Sequence, residues 1–239
     1  MGLKPNTNRM SLIFDLDGTL FRVETVSVPA VKAAFKSLSL APPTKNRILS
    51  GIGKVTQRFY QELLPESKRN LAQMLQMMGS ENEILLLRQG KGQLYSGTKK
   101  VLGQLKDNGY RLGLISNSSY KYFREIIQAF GLAPLFNHSL CAGETKGFQK
   151  RDLIRRVRGL LGGGRAIVIG DRKEDILAAK ENGMKSVGCL YGYGDRKELG
   201  AADWRIKKIG DLVKILPPHL AELSSSGKKK DFVGVRKVL

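Results

Sequence analysis

The sequence predicts an α/β fold: a doubly wound, mainly parallel sheet (a Rossmannoid core) with an inserted α-helical cap. Two observations predict the sheet. Four short apolar runs are bounded by polar turns, as buried parallel strands are, and helical patterns separate them. A third observation predicts the cap, because residues 22–90 hold helical patterns and no clear strand.

The first strand is the run at 12–14 inside SLIFDLDGTL, and it ends on Asp15 and Asp17. The interval that follows has helical patterns at 31–38, 55–64, 71–78 and 83–87, punctuated by Pro42-Pro43, Pro65 and Gly79. Met74, Met77 and Met78 read there as helix-packing core. Beyond it, Val101, Leu102 and Leu105 mark one face of a helix over 99–108, with Gly109 as its stop. A second strand at 112–115 leads to a helix over 120–130, started by Ser118 or Ser119 and ended by Gly131. A helix at 152–161, a flexible Gly162-Gly163-Gly164 link, a strand at 166–169, a helix at 175–182 and a strand at 187–190 complete the series. The predicted organisation is a core domain of residues 1–21 and 91–223, a cap domain of residues 22–90 and a basic tail of residues 224–239.

Composition narrows the function classes. The 239 residues are 41% hydrophobic and 26% charged, which reads as a globular protein. No apolar run approaches the ~20 residues that span a bilayer, and there is no signal-peptide core, so a cytoplasmic protein without a membrane partner is expected. Cys141 and Cys189 lack the spacing of a metal motif, and two histidines are too few for a His-based zinc site. The formal charge is +20, from 41 Lys and Arg against 21 Asp and Glu. Such a surface attracts polyanions or phosphorylated small molecules. The tail holds five of those basic residues against Asp231, so the rest of the chain is itself strongly basic.

Chemistry is expected at the carboxyl ends of the strands, where parallel sheets place ligands. Strand one ends in Asp15-Leu16-Asp17-Gly18-Thr19, the next in Ser116-Asn117-Ser118, and the strand at 166–169 in GDRKED, residues 170–175. Glu144-Thr145-Lys146-Gly147 lies between the last two, near a helix start. Asp15 and Asp17 repel one another unless a cation sits between them.

This ordered set resembles the haloacid dehalogenase-like hydrolase superfamily over nearly the whole chain, and the helical insert resembles its C1 cap. The stretch VGCLYGYGDRKELGAADWRI resembles the phosphoglycolate-phosphatase-like branch. The resemblance implies a Mg²⁺-dependent phosphatase acting on a small phosphorylated metabolite through an aspartyl-phosphate. Asp15 would be the nucleophile and Asp17 the general acid and base. Mg²⁺ would be held by the Asp15 carboxylate, the Asp17 backbone carbonyl and the Asp171 carboxylate, with Asp175 one helical turn on in support. Ser116 and Asn117 would bind phosphoryl oxygens. Lys146 would balance their charge, with Lys150 as the other candidate because Gly147 stands where the family often has proline. Thr19 would orient the turn or Asp17. The loop leading into the helix at 55–64 would bring Lys54 and Arg58 toward the leaving group, which suits an acidic substrate such as phosphoglycolate.

Asp17 argues against a dehalogenase or a phosphonatase, neither of which needs a second acid to protonate an alkoxide. A phosphomutase, or a pyrophosphatase or nucleotidase of the same superfamily, keeps both aspartates and stays open as an alternative. From another class, a polyanion- or nucleic-acid-binding protein on this scaffold fits the charge, but no RNA-binding signature, zinc finger or helix-turn-helix accompanies it. At most weak, non-specific polyanion binding is expected.

Overall fold

The computed structural model describes residues 10–52, 56–145 and 147–216. Six strands form one sheet: β1 (Ser11–Asp15), β2 (Arg111–Ser116), β3 (His138–Cys141), β4 (Ala166–Gly170), β5 (Lys185–Cys189) and β6 (Trp204–Ile206). Their order is β3-β2-β1-β4-β5-β6 and every pairing is parallel. β1 is central, with Phe14 in register with Leu114 on one side and Ile169 on the other. Four of the strands are those expected from apolar runs. β3 and β6 are short outer strands of mixed polarity and partial exposure, so no such run marks them.

Alternation along the strands divides the core in two. Leu12, Phe14, Leu112, Leu114, Ile167 and Ile169 face one layer, which includes α5 (Thr98–Asp107) and α6 (Tyr120–Ala129). Ile13, Ile115 and Val168 face the other, packed by α7 (Lys150–Leu160) and α8 (Lys173–Glu181). Gly113 lets α7 approach, because a Cβ there would overlap the Val157 side chain. A short α9 (Leu212–Ile215) ends the described chain.

Among its described residues the insert forms helices and no strand: α1 (Glu24–Ser37), α2 (Lys45–Leu49), α3 (Thr56–Leu63) and α4 (Ala72–Arg88). It has its own apolar cluster, including Val31, Phe35, Ile48, Phe59, Tyr60 and Leu75. Three expectations change here. α1 begins at Glu24 and carries Pro29 within it, rather than starting beyond the proline. The two short helices expected around Gly79 are one helix. Gly79 sits inside α4 because the buried Tyr60 hydroxyl fills the space a Cβ would need. Met78 packs against the insert's core, but Met74 and Met77 are half or more exposed, so the methionines are not a single packing cluster.

Candidate active site

The carboxyl ends of β1, β2 and β4 converge below the helical insert, around a cavity of ≈ 140 Å³. Asp15, Asp17, Ser116, Asn117 and Lys150 line its floor, and Ser27, Tyr60 and Glu83 of the insert line its roof. Asp15 is the last residue of β1 and is buried. The chain then turns through Gly18, whose φ of 87° favours glycine. A Cβ at Gly18 would also overlap the Asp171 carboxylate, so the turn and the end of β4 can meet only because this residue is glycine.

Three buried carboxylates gather there. Oxygens of Asp15, Asp171 and Asp175 lie within 4.8 Å of one another. Asp171 accepts from the Thr19 hydroxyl at 3.2 Å and the Tyr193 backbone N–H at 2.8 Å. Asp175, one turn into α8, accepts from the Arg172 backbone N–H at 3.0 Å. The Thr19 hydroxyl thus orients Asp171, where the expectation was the turn or Asp17. Burial pushes Asp171 up to about 7, and the Asp175 charge adds to the shift. Burial also raises Asp15 well above the usual carboxylate range; Lys150 opposes the rise, while Asp175 and Asp171 add to it. Three buried carboxylates whose oxygens lie this close are a set of hard donors that fits a divalent cation such as Mg²⁺.

Lys150, the first residue of α7, reaches into this cluster. It is ion-paired with Asp15, and its Nζ is 2.8 Å from Asp175 Oδ1. Burial works against its charge, but the two carboxylates outweigh burial and its pKa is raised. The lysine in contact with the candidate nucleophile is therefore Lys150; Lys146, the expected residue, lies outside the described residues. The choice between these two lysines, four residues apart, is what sequence spacing alone leaves open.

Asp17 follows β1 by two residues and faces the cavity. Its Oδ1 accepts from the Tyr122 hydroxyl at 3.0 Å and its Oδ2 from the Ser116 hydroxyl at 3.5 Å. Burial raises it to about 6, against both hydrogen bonds and the Lys150 charge. Ser116 is fixed in turn by Ser118, whose hydroxyl is 2.8 Å away and whose backbone N–H donates to it at 3.1 Å. Ser119, one of the two serines expected to start α6, caps it by accepting from the Tyr122 backbone N–H at 3.5 Å. Tyr122 was not singled out from sequence. Its only signal is that it stands in the buried face with Phe123, Ile126 and Ile127, one turn after a hydroxyl-ended strand.

Glu83 is the other unforeseen group. It lies on α4, in the roof, and accepts a hydrogen bond from the Ser27 hydroxyl of α1. Burial pushes it up to about 7; Ser27 opposes this and the Asp17 charge adds to it. Of the two residues expected to contact the leaving group, Arg58 is not found there. Arg58 is exposed, pairs with Glu62 at 2.9 Å and does not line the cavity. Its place on the outward side of α3 follows from the helical phase that turns Phe59, Tyr60 and Leu63 inward. Lys54 lies outside the described residues. The loop before it is tied to the core, because the Ile52 carbonyl accepts from Arg172 at 3.0 Å.

A family model described as haloacid dehalogenase-like hydrolase matches residues 12–189. The phosphoglycolate phosphatase of Pasteurella multocida is 26% identical over 219 residues, covering 85% of this chain and 96% of its own. The probable phosphatase IndB of Dickeya dadantii is 27% identical over 198 residues, covering 80% and 86%. The crystal structure of a predicted phosphoglycolate phosphatase from Haemophilus somnus superposes with a TM-score of 0.76 at 24% identity, over 89% of this chain and all of that one.

Proposed function

The chain belongs to the haloacid dehalogenase-like hydrolase family and is a phosphatase, and from that premise we propose that it is Mg²⁺-dependent and hydrolyses a small phosphomonoester by transfer to Asp15. The observation that carries this reading is the pairing of two carboxylates at the end of β1. One, Asp15, sits against Lys150 and the acidic cluster. The other, Asp17, is held apart by Tyr122 and Ser116.

Two neighbouring carboxylates in different surroundings can take different roles. Asp15 attacks phosphorus and carries the phosphoryl group. Lys150 keeps that carboxylate and its neighbours balanced in charge. Asp17, with a pKa drawn up toward neutral, can hold a proton at Oδ1 or Oδ2 and give it to the departing alkoxide. It then takes a proton from the water that attacks the aspartyl-phosphate. Ser116 and Asn117 donate to phosphoryl oxygens from the end of β2. The residues to hold Mg²⁺ are Asp15, the Asp17 carbonyl and Asp171, with Asp175 supporting through Lys150. The metal supplies positive charge that offsets repulsion between the nucleophile and the anionic ester.

Residues 22–90 act as the cap over a core of residues 1–21 and 91–223. A separate apolar cluster in the insert and a cavity walled by both parts support that division. The tail, residues 224–239, lies outside the described residues. No helix among the described residues is long and apolar enough to cross a membrane, which fits action on a dissolved metabolite in the cytoplasm. The test is turnover of p-nitrophenyl phosphate with and without Mg²⁺. Metal-dependent release of phosphate is expected. Undiminished activity after exhaustive chelation would contradict the metal-dependent mechanism.

A further inference from the structure

We infer that Glu83 makes the roof of the cavity a subsite for a leaving alcohol that carries hydrogen-bond donors, a polyol or amino-alcohol phosphate, rather than one that carries a second acid group. The inference rests on the phosphatase reading above and names its substrate class.

The cavity has one chemical polarity at its floor and another at its roof. The floor holds the phosphoryl machinery. The roof presents Glu83 from α4, with Gln76 and Ser80 on the same helical face at i, i+4 and i+7 spacing. Glu83 is not a loose surface acid. Ser27 donates to it from α1, and the neighbouring Asn82 side chain donates to the Ala30 carbonyl at 3.2 Å, which fixes α4 against α1 at this level. The carboxylate is therefore held in place, facing the reacting pair.

Among the described residues, no cation that lines the cavity is free to offset it. Among the described residues, the cavity-lining cations are Lys150 and Arg172. Lys150 is engaged by Asp15 and Asp175. Arg172 is engaged by Glu198 at 2.8 Å and by the Ile52 carbonyl at 3.0 Å. Above about pH 7, where Glu83 is ionised, a leaving group with its own carboxylate would be set against it with neither of these two cations released to meet it, and like charges in a confined site discriminate strongly. A hydroxyl or ammonium on the same carbon skeleton would donate to Glu83 in a charge-assisted hydrogen bond. This differs from the expectation of an acidic, phosphoglycolate-like substrate drawn from sequence; of the two residues that expectation named, Arg58 faces away from the cavity and Lys54 lies outside the described residues.

The test compares four esters with native protein and with Glu83→Gln: glycerol 3-phosphate, ethanolamine phosphate, 2-phosphoglycolate and p-nitrophenyl phosphate. Native protein should have at least a tenfold higher kcat/KM for glycerol 3-phosphate or ethanolamine phosphate than for 2-phosphoglycolate. Glu83→Gln should lose at least tenfold more on the preferred ester than on p-nitrophenyl phosphate, and should narrow its disadvantage on 2-phosphoglycolate. Preference for ethanolamine phosphate identifies an ammonium as the donor, and preference for glycerol 3-phosphate a hydroxyl. Calorimetry with Asp15→Asn protein in Mg²⁺ gives the same ranking without turnover, and Ser27→Ala serves if Glu83→Gln fails to fold. Equal losses on all four esters, or 2-phosphoglycolate ranked first by native protein, would overturn the subsite. Failure to turn over any ester would instead count against the phosphatase reading, and the calorimetric ranking would still decide the subsite.

Discussion

Two carboxylates that differ only in their neighbours carry the proposed chemistry. Asp17→Asn keeps the hydrogen bond from Tyr122 but has no proton to give, so kcat should fall by at least the ~10²-fold typical of a lost general acid. Tyr122→Phe is subtler. The phenol stabilises the ionised form of Asp17, so its removal raises the Asp17 pKa further and should move the pH–rate profile toward higher pH. An unmoved profile would remove Tyr122 as a positioning residue. Glu83 makes a stability prediction of opposite bookkeeping. Its pKa is raised on folding, from 4.5 to about 7, so the native state holds a proton that the unfolded chain has released across that window. Stability contributed by this group is present below about pH 4.5 and is lost as pH rises through about 7. Glu83→Gln should therefore melt progressively higher relative to native protein between pH 5 and pH 8. A constant difference in Tm across that range would contradict the assignment.

The helical insert is where local propensity and packing disagree most clearly. Gly79 lies inside α4 with the Tyr60 hydroxyl in its missing side-chain space, whereas Gly159 lies inside α7 with nothing within 4 Å of where a Cβ would stand. Replacing a helical glycine by alanine gains about 1 kcal/mol from propensity. At Gly79 overpacking costs about 1–3 kcal/mol against that gain. Denaturant melts should find Gly159→Ala stabilised and Gly79→Ala destabilised. The same contrast explains what could be read from the sequence. The strands β1, β2, β4 and β5 are legible because both their faces are largely buried and apolar residues fill most of their positions. The edge strands β3 and β6 are not, since HSLC and WRI need satisfy only part of such a surface. Asp15, Asp17, Ser116 and Asp171 were legible because they stand at strand ends, where the chain itself fixes their position. Glu83 and Tyr122 project from helices, and Lys150 opens one after a loop, so their place in the site depends on packing between elements that no local pattern encodes. Arg58 departs from expectation for the same reason: a residue near a glycine-containing loop can face either way, and helix phase turns it outward.

At the scale of the whole molecule, the charge of +20 and the acidic site oppose one another. Most basic residues lie away from the cavity, so their effect on a dianionic ester is long-range capture rather than contact. Raising salt from about 0.05 to about 0.5 M shrinks the screening length from about 14 to about 4 Å and should lower kcat/KM several-fold while leaving kcat nearly unchanged. Nucleic acid should bind only weakly and without sequence preference, with affinity falling steeply against log salt. Tight, selective binding at physiological salt would give the surface a function of its own. The fold, the acidic cluster and the helical insert all bear on one step, the proposed transfer of the phosphoryl group to Asp15. The most direct measurement is rapid mixing of the protein with Mg²⁺ and p-nitrophenyl phosphate, acid quenching within a turnover, and peptide mass spectrometry. A transient single phosphoryl group is expected on the Asp15 side chain, absent from Asp15→Asn. Steady release of phosphate with no adduct on Asp15 at any time, or an Asp15→Asn protein that retains full activity, would contradict it.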